Sequence, residues 1–275
     1  MSVALLGLLA VPVATNAQNV AAAGYAQPTF ADLVDLSDRS TLVVHAEIRR
    51  QTRVKAERAP DLAPGFARLY IQAETIALIS GSGGLGESLD YLIDVPLQTN
   101  GKPPKLKKQQ MLLFAREVPG RPGTLQLAGP EGQLTYSPEL VARVRPILTA
   151  RVSPDSPPVV SGIKDALAVQ GTLVGESETQ IFLDTMDRSP VSISVIRRPG
   201  QPAAWGVSWG EIIDSSARPP APETLRWFRL ACSLPERLPT VANLSQGAAA
   251  RRIAAEDYRL VIDQLGPCER QITQG

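Results

Sequence analysis

Apolar and polar residues alternate along much of this chain, in short stretches separated by turn-forming residues. From Thr41 to Arg50, Leu42, Val44, Ala46 and Ile48 share one face and His45, Glu47 and Arg49 the other. That is the two-residue period of a half-buried strand. Leu69–Ile79 repeats it, with Tyr70, Gln72, Glu74 and Ile76 opposed to Ile71, Ala73, Thr75 and Ala77. Leu89 to Val95, Gln110 to Ala115 and Thr124 to Ala128 predict three further strands. On either side of these strands the period changes. Phe30, Leu33, Val34 and Leu36 are spaced for one helix face, and Pro138 opens a helix holding Leu140, Val141, Val144 and Ile147. Turn-spaced strands with a helix at each end predict a small antiparallel barrel.

A stiff segment, Pro154, Asp155, Ser156, Pro157 and Pro158, divides the chain into a barrel-like part, 27–152, a Pro-rich linker, 153–162, and a remainder, 163–275. In the remainder, Ala166 to Val174, Thr179 to Asp184 and Pro190 to Ile196 predict consecutive antiparallel strands. Two helices follow, from Glu223 to Leu230 and from Gln246 to Leu265, the second stopped by Gly266 and Pro267. The fold class is therefore α+β, an N-terminal antiparallel barrel followed by strands and then helices.

No charged residue precedes Asp32, and Val3 to Ala14 form a twelve-residue apolar run interrupted only by Pro12. As a helix this run reaches about 18 Å, short of the roughly 30 Å hydrocarbon core, so it fits the apolar region of a signal peptide better than a membrane span. Residues 1–26 are accordingly expected to be a signal peptide, with cleavage after Ala17, Ala23 or Ala26, although no Lys or Arg precedes the apolar run. A periplasmic or secreted location follows. The only two cysteines, Cys232 and Cys268, agree with it, because in an oxidising compartment they would tie the Trp227 helix to the end of the last helix. The other reading is two unrelated buried thiols.

The first half resembles OB-type barrels of the netrin-like kind. The likeness rests on the short N-terminal helix, the strand entering at Ser40-Thr41-Leu42-Val43-Val44, a long polar-faced strand and the late apolar run Gln110-Met111-Leu112-Leu113-Phe114-Ala115. It covers residues 30–130, and it implies an extracytoplasmic binding module. The whole chain also looks like the uncharacterised exported proteins of Gram-negative bacteria, a likeness that implies no reaction.

Composition excludes several chemistries. With 28 basic and 27 acidic residues the net charge is +1, which gives no general attraction to nucleic acid or an anionic membrane. Two cysteines and one histidine do not make a zinc site, and no cofactor is expected. Gly81-Ser82-Gly83-Gly84-Leu85-Gly86 spells the dinucleotide-binding pattern, but a strand and not a helix is predicted after it, and lysines stand where the ribose-binding acid belongs. It reads as a hairpin loop. Asp184, Asp187, Glu176 and Glu178 lack the spacing and central glycine of a calcium loop and read as a solvated hairpin.

Gly206-Val207-Ser208-Trp209-Gly210 spells the nucleophile-elbow pattern, yet the only histidine, His45, lies 163 residues before the serine. In the hydrolase fold that owns this pattern the histidine comes after it. The order His45, Asp94, Ser208 instead suits a two-barrel serine protease. The other reading is a turn between two strands packed by Trp205 and Trp209, with His45 an ordinary surface residue of its strand. Lys102, Lys105, Lys107 and Lys108 either contact phosphate groups or guard an exposed strand against edge pairing. These readings favour an exported, non-catalytic binding or accessory protein of the cell envelope, its partner an envelope protein or polymer. The alternative is a serine hydrolase using Ser208 and His45.

Overall fold

The computed structural model describes residues 27–82, 84–212 and 218–273. The expected signal peptide, 1–26, lies outside them. The first helix, α1 (Phe30–Asp38), begins where a capping box forms: Asp32 N donates to Thr29 Oγ1 at 3.1 Å, and Thr29 N donates back to Asp32 Oδ2 at 2.8 Å. Five strands follow: β1 (Leu42–Arg53), β2 (Phe66–Ser80), β3 (Ser88–Pro96), β4 (Gln110–Glu117) and β5 (Thr124–Leu127). Their pairing order is β1-β2-β3-β5-β4, and β4 returns to β1, so the sheet closes on itself. All pairs are antiparallel except β3 with β5, where Asp90 and Tyr91 oppose Thr124 and Leu125 in parallel. This closed five-stranded barrel is compatible with an OB-like fold.

The interior is filled by alternate residues of each strand: Leu42, Val44, Ala46 and Ile48 from β1, Ala67, Leu69, Ile71 and Ala73 from β2, and Leu89, Tyr91, Ile93 and Val95 from β3. The β4 run Met111–Ala115 is apolar at every position because both its faces are covered. Met111, Leu113 and Ala115 point into the barrel, while Leu112 and Phe114 join a second apolar cluster outside it.

A three-residue strand, β6 (Gln133–Thr135), pairs with β4 and was not signalled by any alternation. Ser137 then caps α2 (Pro138–Val152), with Leu140 N donating to Ser137 Oγ at 3.1 Å. Beyond residues 153–159 comes a four-stranded antiparallel sheet: β7 (Val160–Gln170), β8 (Ser177–Thr185), β9 (Val191–Arg197) and β10 (Ala204–Ser208), in the order β10-β9-β8-β7. Two corrections arise here. β7 begins and ends earlier than the expected 166–174, because the chain turns through Gly171 and Gly175, the latter at φ 85°. The predicted turn at Gly206–Gly210 is in its first half a strand: Trp205 to Ser208 pair with β9 in register Val195 to Ser192.

Helix α3 (Leu225–Ala231) starts after its cap Thr224, two residues beyond the expected Glu223, and α4 (Gly247–Leu265) ends at Gly266 with φ 73°. Cys232, at the end of α3, is disulfide-bonded to Cys268, three residues past α4, with their Cα atoms 5.1 Å apart. The second apolar cluster is common to both halves. It joins Leu33 and Leu36 of α1, Phe114 of the barrel wall, Val144 of α2, Ile181 and Ile193 of the second sheet, Trp227 of α3 and Val261 of α4. Among the described residues no helix is long and apolar enough to cross a membrane.

Candidate functional site

On the outer wall of the barrel, β2, β3 and β5 border a cavity of about 500 Å3. Strand alternation positions its lining. Ala67, Leu69, Tyr91 and Ile93 face the interior, so Arg68 and Tyr70 of β2 and Asp90, Leu92 and Asp94 of β3 face outward into the cavity. Thr124 and Gln126 of β5, with Val118 and Arg121 of the loop before it, close the far side. Leu92 is 52% exposed, an apolar residue between Asp90 and Asp94 on the outward face of β3.

The charged groups of this groove are ordered by one guanidinium. Arg68 Nε and Nη2 each donate to Asp94 at 2.8 Å, and Nη1 and Nη2 donate to Asp61 at 3.0 and 3.1 Å. Both pairs are bidentate, which fixes the planes of all three groups. The hydrogen bonds from Asp94 and then Asp61 hold Arg68 well above its ordinary value, and Arg68 in turn lowers Asp61. Asp90 accepts from Thr124 Oγ1 at 3.3 Å across the parallel β3–β5 pair. The floor is equally fixed: Tyr91, buried in the barrel, donates its hydroxyl to Gln133 Oε1 at 2.6 Å, and burial pushes its phenol upward. The result is a concave, partly apolar surface with a few oriented polar groups, the general form of a ligand site.

The three residues of the expected hydrolase alternative are placed differently. His45 lies on β1 opposite Ala77 of β2, whereas Asp94 lies on β3 opposite Arg68 of β2. Those two positions on β2 are nine residues apart, about 30 Å along a strand. His45 is not the surface residue its alternation predicted: it is 7% exposed, because Tyr136, just before α2, stacks on it with ring centroids 3.5 Å apart and planes 4° from parallel. Its Nε2 lies 2.9 Å from Gln110 Oε1. Asp94 has both oxygens on Arg68. Ser208 is buried on β10 of the second sheet, opposite Ser192. The structure does not bring His45 and Asp94 together, and it puts Ser208 in the other sheet.

The glycine-rich segment joins β2 to β3, which pair antiparallel, so a strand and not a helix follows Gly86; Gly83 itself lies outside the described residues. Gly81 is required sterically. Its φ is 129°, and a Cβ there would sit 2.9 Å from the Leu42 Cβ. Glu176 and Asp187 of the acidic stretch accept hydrogen bonds from the nearby backbone groups Leu173 N and Ser189 N. The groove was missed from sequence because its walls come from strands up to 59 residues apart, Arg68 to Leu127. The one local signal was Leu92, an apolar residue between Asp90 and Asp94 on an outward face. Compared with known proteins, the chain matches no family model and no curated protein sequence.

Proposed function

We propose that this protein is an exported, non-catalytic binding or accessory module of the cell envelope that takes its ligand in the groove over β2, β3 and β5. The groove itself carries the reading. OB-type barrels use the face of strands 2 and 3 to bind extended ligands such as oligonucleotides and oligosaccharides, and here that face holds the Arg68–Asp94 pair, Tyr70 and the exposed Leu92. The resemblance of residues 30–130 to netrin-like OB barrels supports an extracytoplasmic module. So does the Cys232–Cys268 bond, since disulfides persist in oxidising compartments. The uncharged, apolar N-terminal segment supports export through a signal peptide.

The experiment is site-specific photocrosslinking in the envelope. A photoreactive amino acid at Leu92 is expected to give discrete adducts. The same residue at Val174, exposed on a loop of the second sheet, is expected to give none. Adducts at both positions or at neither would remove the groove from consideration.

A further inference from the structure

The charge of this nearly neutral chain is gathered at one end of the barrel. Residues 48–58, the end of β1 and the turn after it, carry Arg49, Arg50, Arg53, Lys55 and Arg58 against a single acid, Glu57. Residues 98–109, the connection from β3 to β4, carry Lys102, Lys105, Lys107 and Lys108 and no acid. Together these 23 residues hold +8, so the rest of a +1 chain holds −7.

The fold joins the two segments. Lys108 N donates to Ile48 O at 2.7 Å, Ile48 N donates to Gln109 O at 3.0 Å, and Gln51 Nε2 donates to Pro104 O at 2.8 Å. Leu106 plugs the barrel interior and leaves its neighbours Lys105 and Lys107 exposed. Arg49 alone among the nine cations is in an ion pair, with Glu47 and Glu74; among the described residues the other eight are in none. Phe66, opposite Pro96 at the same end, is 40% exposed.

We infer that this end of the barrel is a docking surface for an anionic phospholipid membrane. Two observations favour a headgroup layer over a shaped anionic ligand. First, the chain has 22 arginines and only six lysines, yet five of the six lysines are here. Lysine is a hydrated point charge on a flexible stem, suited to mobile phosphates, whereas arginine's rigid fork suits fixed bidentate partners. Second, an exposed phenylalanine, Phe66, stands beside the cations, and basic residues next to exposed apolar ones are the pairing that membrane-surface segments use. This surface adjoins the groove at Phe66, two residues before Arg68 on the same face of β2, but none of its nine cations lines the groove, and its test does not depend on the groove's ligand.

The test is co-sedimentation of the mature protein with vesicles of phosphatidylcholine containing about one-third phosphatidylglycerol, and with phosphatidylcholine alone. Binding is expected only to the anionic vesicles and is expected to be lost near 0.5 M salt, where the Debye length falls to about 4 Å. Replacing Lys102, Lys105, Lys107 and Lys108 by Gln is expected to weaken partitioning by about 100-fold or more. The pair Arg53→Gln and Lys55→Gln, on the other segment, gives an independent reading if the first variant folds poorly. Equal binding to neutral vesicles, or unchanged binding by folded variants, would overturn the inference. Capture on immobilised heparin without vesicle binding would also overturn it, in favour of a soluble polyanion. A photoadduct at Leu92 that survives in the lysine variant separates failure of this surface from failure of the groove.

Discussion

Asp32 and Thr273 meet from opposite ends of the described chain. Asp32 Oδ1 accepts from Thr273 N at 2.8 Å and from Thr273 Oγ1 at 2.7 Å, and its carboxylate also accepts from the Gln271 and Ile272 amides. The same face of α1 presents two more acids at three-residue spacing. Asp35 pairs with Arg270 at 2.6 Å, and Asp38 pairs with Arg151 at 2.8 Å and Arg229 at 2.5 Å. A helix that caps itself with Asp32 thus also fastens the C-terminal segment to the barrel half.

Asp32→Asn is expected to destabilise the fold by about 2–4 kcal/mol, since it leaves several buried amides poorly paired. Burial alone would raise the Asp32 carboxyl, but hydrogen bonds from Thr273, Thr29 and Gln271 outweigh it and hold the group below the usual carboxylate range. A depressed folded value adds stability above an unfolded value near 4, and that stability is lost as pH falls through the folded value. Urea denaturation at neutral pH and at about pH 3 should therefore show an acid loss that is smaller in Asp32→Asn. An equal acid loss in both proteins would sink the account.

Reducing the Cys232–Cys268 bond, which spans a sequence separation of 36, is expected to cost about 3–4 kcal/mol on the chain-entropy model. Intact mass before and after alkylation checks the bond in the native protein. No alkylation should occur until a reductant is added, and two adducts should appear afterwards. Two thiols reactive without reductant would mean that the native protein lacks the bond.

Much of the barrel was legible because its signal is local. Leu42, Val44, Ala46 and Ile48 alternate over seven residues and all four line the interior. The run Met111–Ala115 was legible as a strand, though not its burial on both faces, which depends on α1 and α2 packing outside. β6 left no trace, since three residues carry no period and its existence depends on pairing with Met111 to Leu113. β10 was hidden by Gly206 and by a pentapeptide that resembled a turn. The burial of His45 could not be read from β1, because the ring that covers it lies 91 residues later. The groove shares that limit, being built from β2, β3 and β5 and from no contiguous motif.

A fluorophosphonate probe is expected not to label the protein, because His45 is held between Gln110 and Tyr136 and lies far along the β2 ladder from Asp94. Tyr136→Ala should uncover the imidazole and lower stability by about 1–2 kcal/mol through loss of the stacking contact of a half-buried ring. Labelling that disappears in Ser208→Ala would instead establish the serine as a nucleophile and reopen the hydrolase reading.

Phe114→Ala tests whether the two halves melt together. Phe114 sits on the barrel's outer wall in a cluster that reaches Ile193 of the second sheet and Trp227 of α3. All three tryptophans, Trp205, Trp209 and Trp227, belong to the C-terminal half, so their fluorescence arises there, with Trp227 at the border against Phe30 of α1, ring centroids 6.1 Å apart. Truncating a fully buried phenylalanine costs about 3–5 kcal/mol. If the shared cluster couples the halves, this barrel substitution lowers the tryptophan-detected midpoint as much as the midpoint seen by far-UV circular dichroism, in a single transition. A tryptophan transition left in place while the circular dichroism splits in two would show that the cluster packs the halves together without making them cooperative.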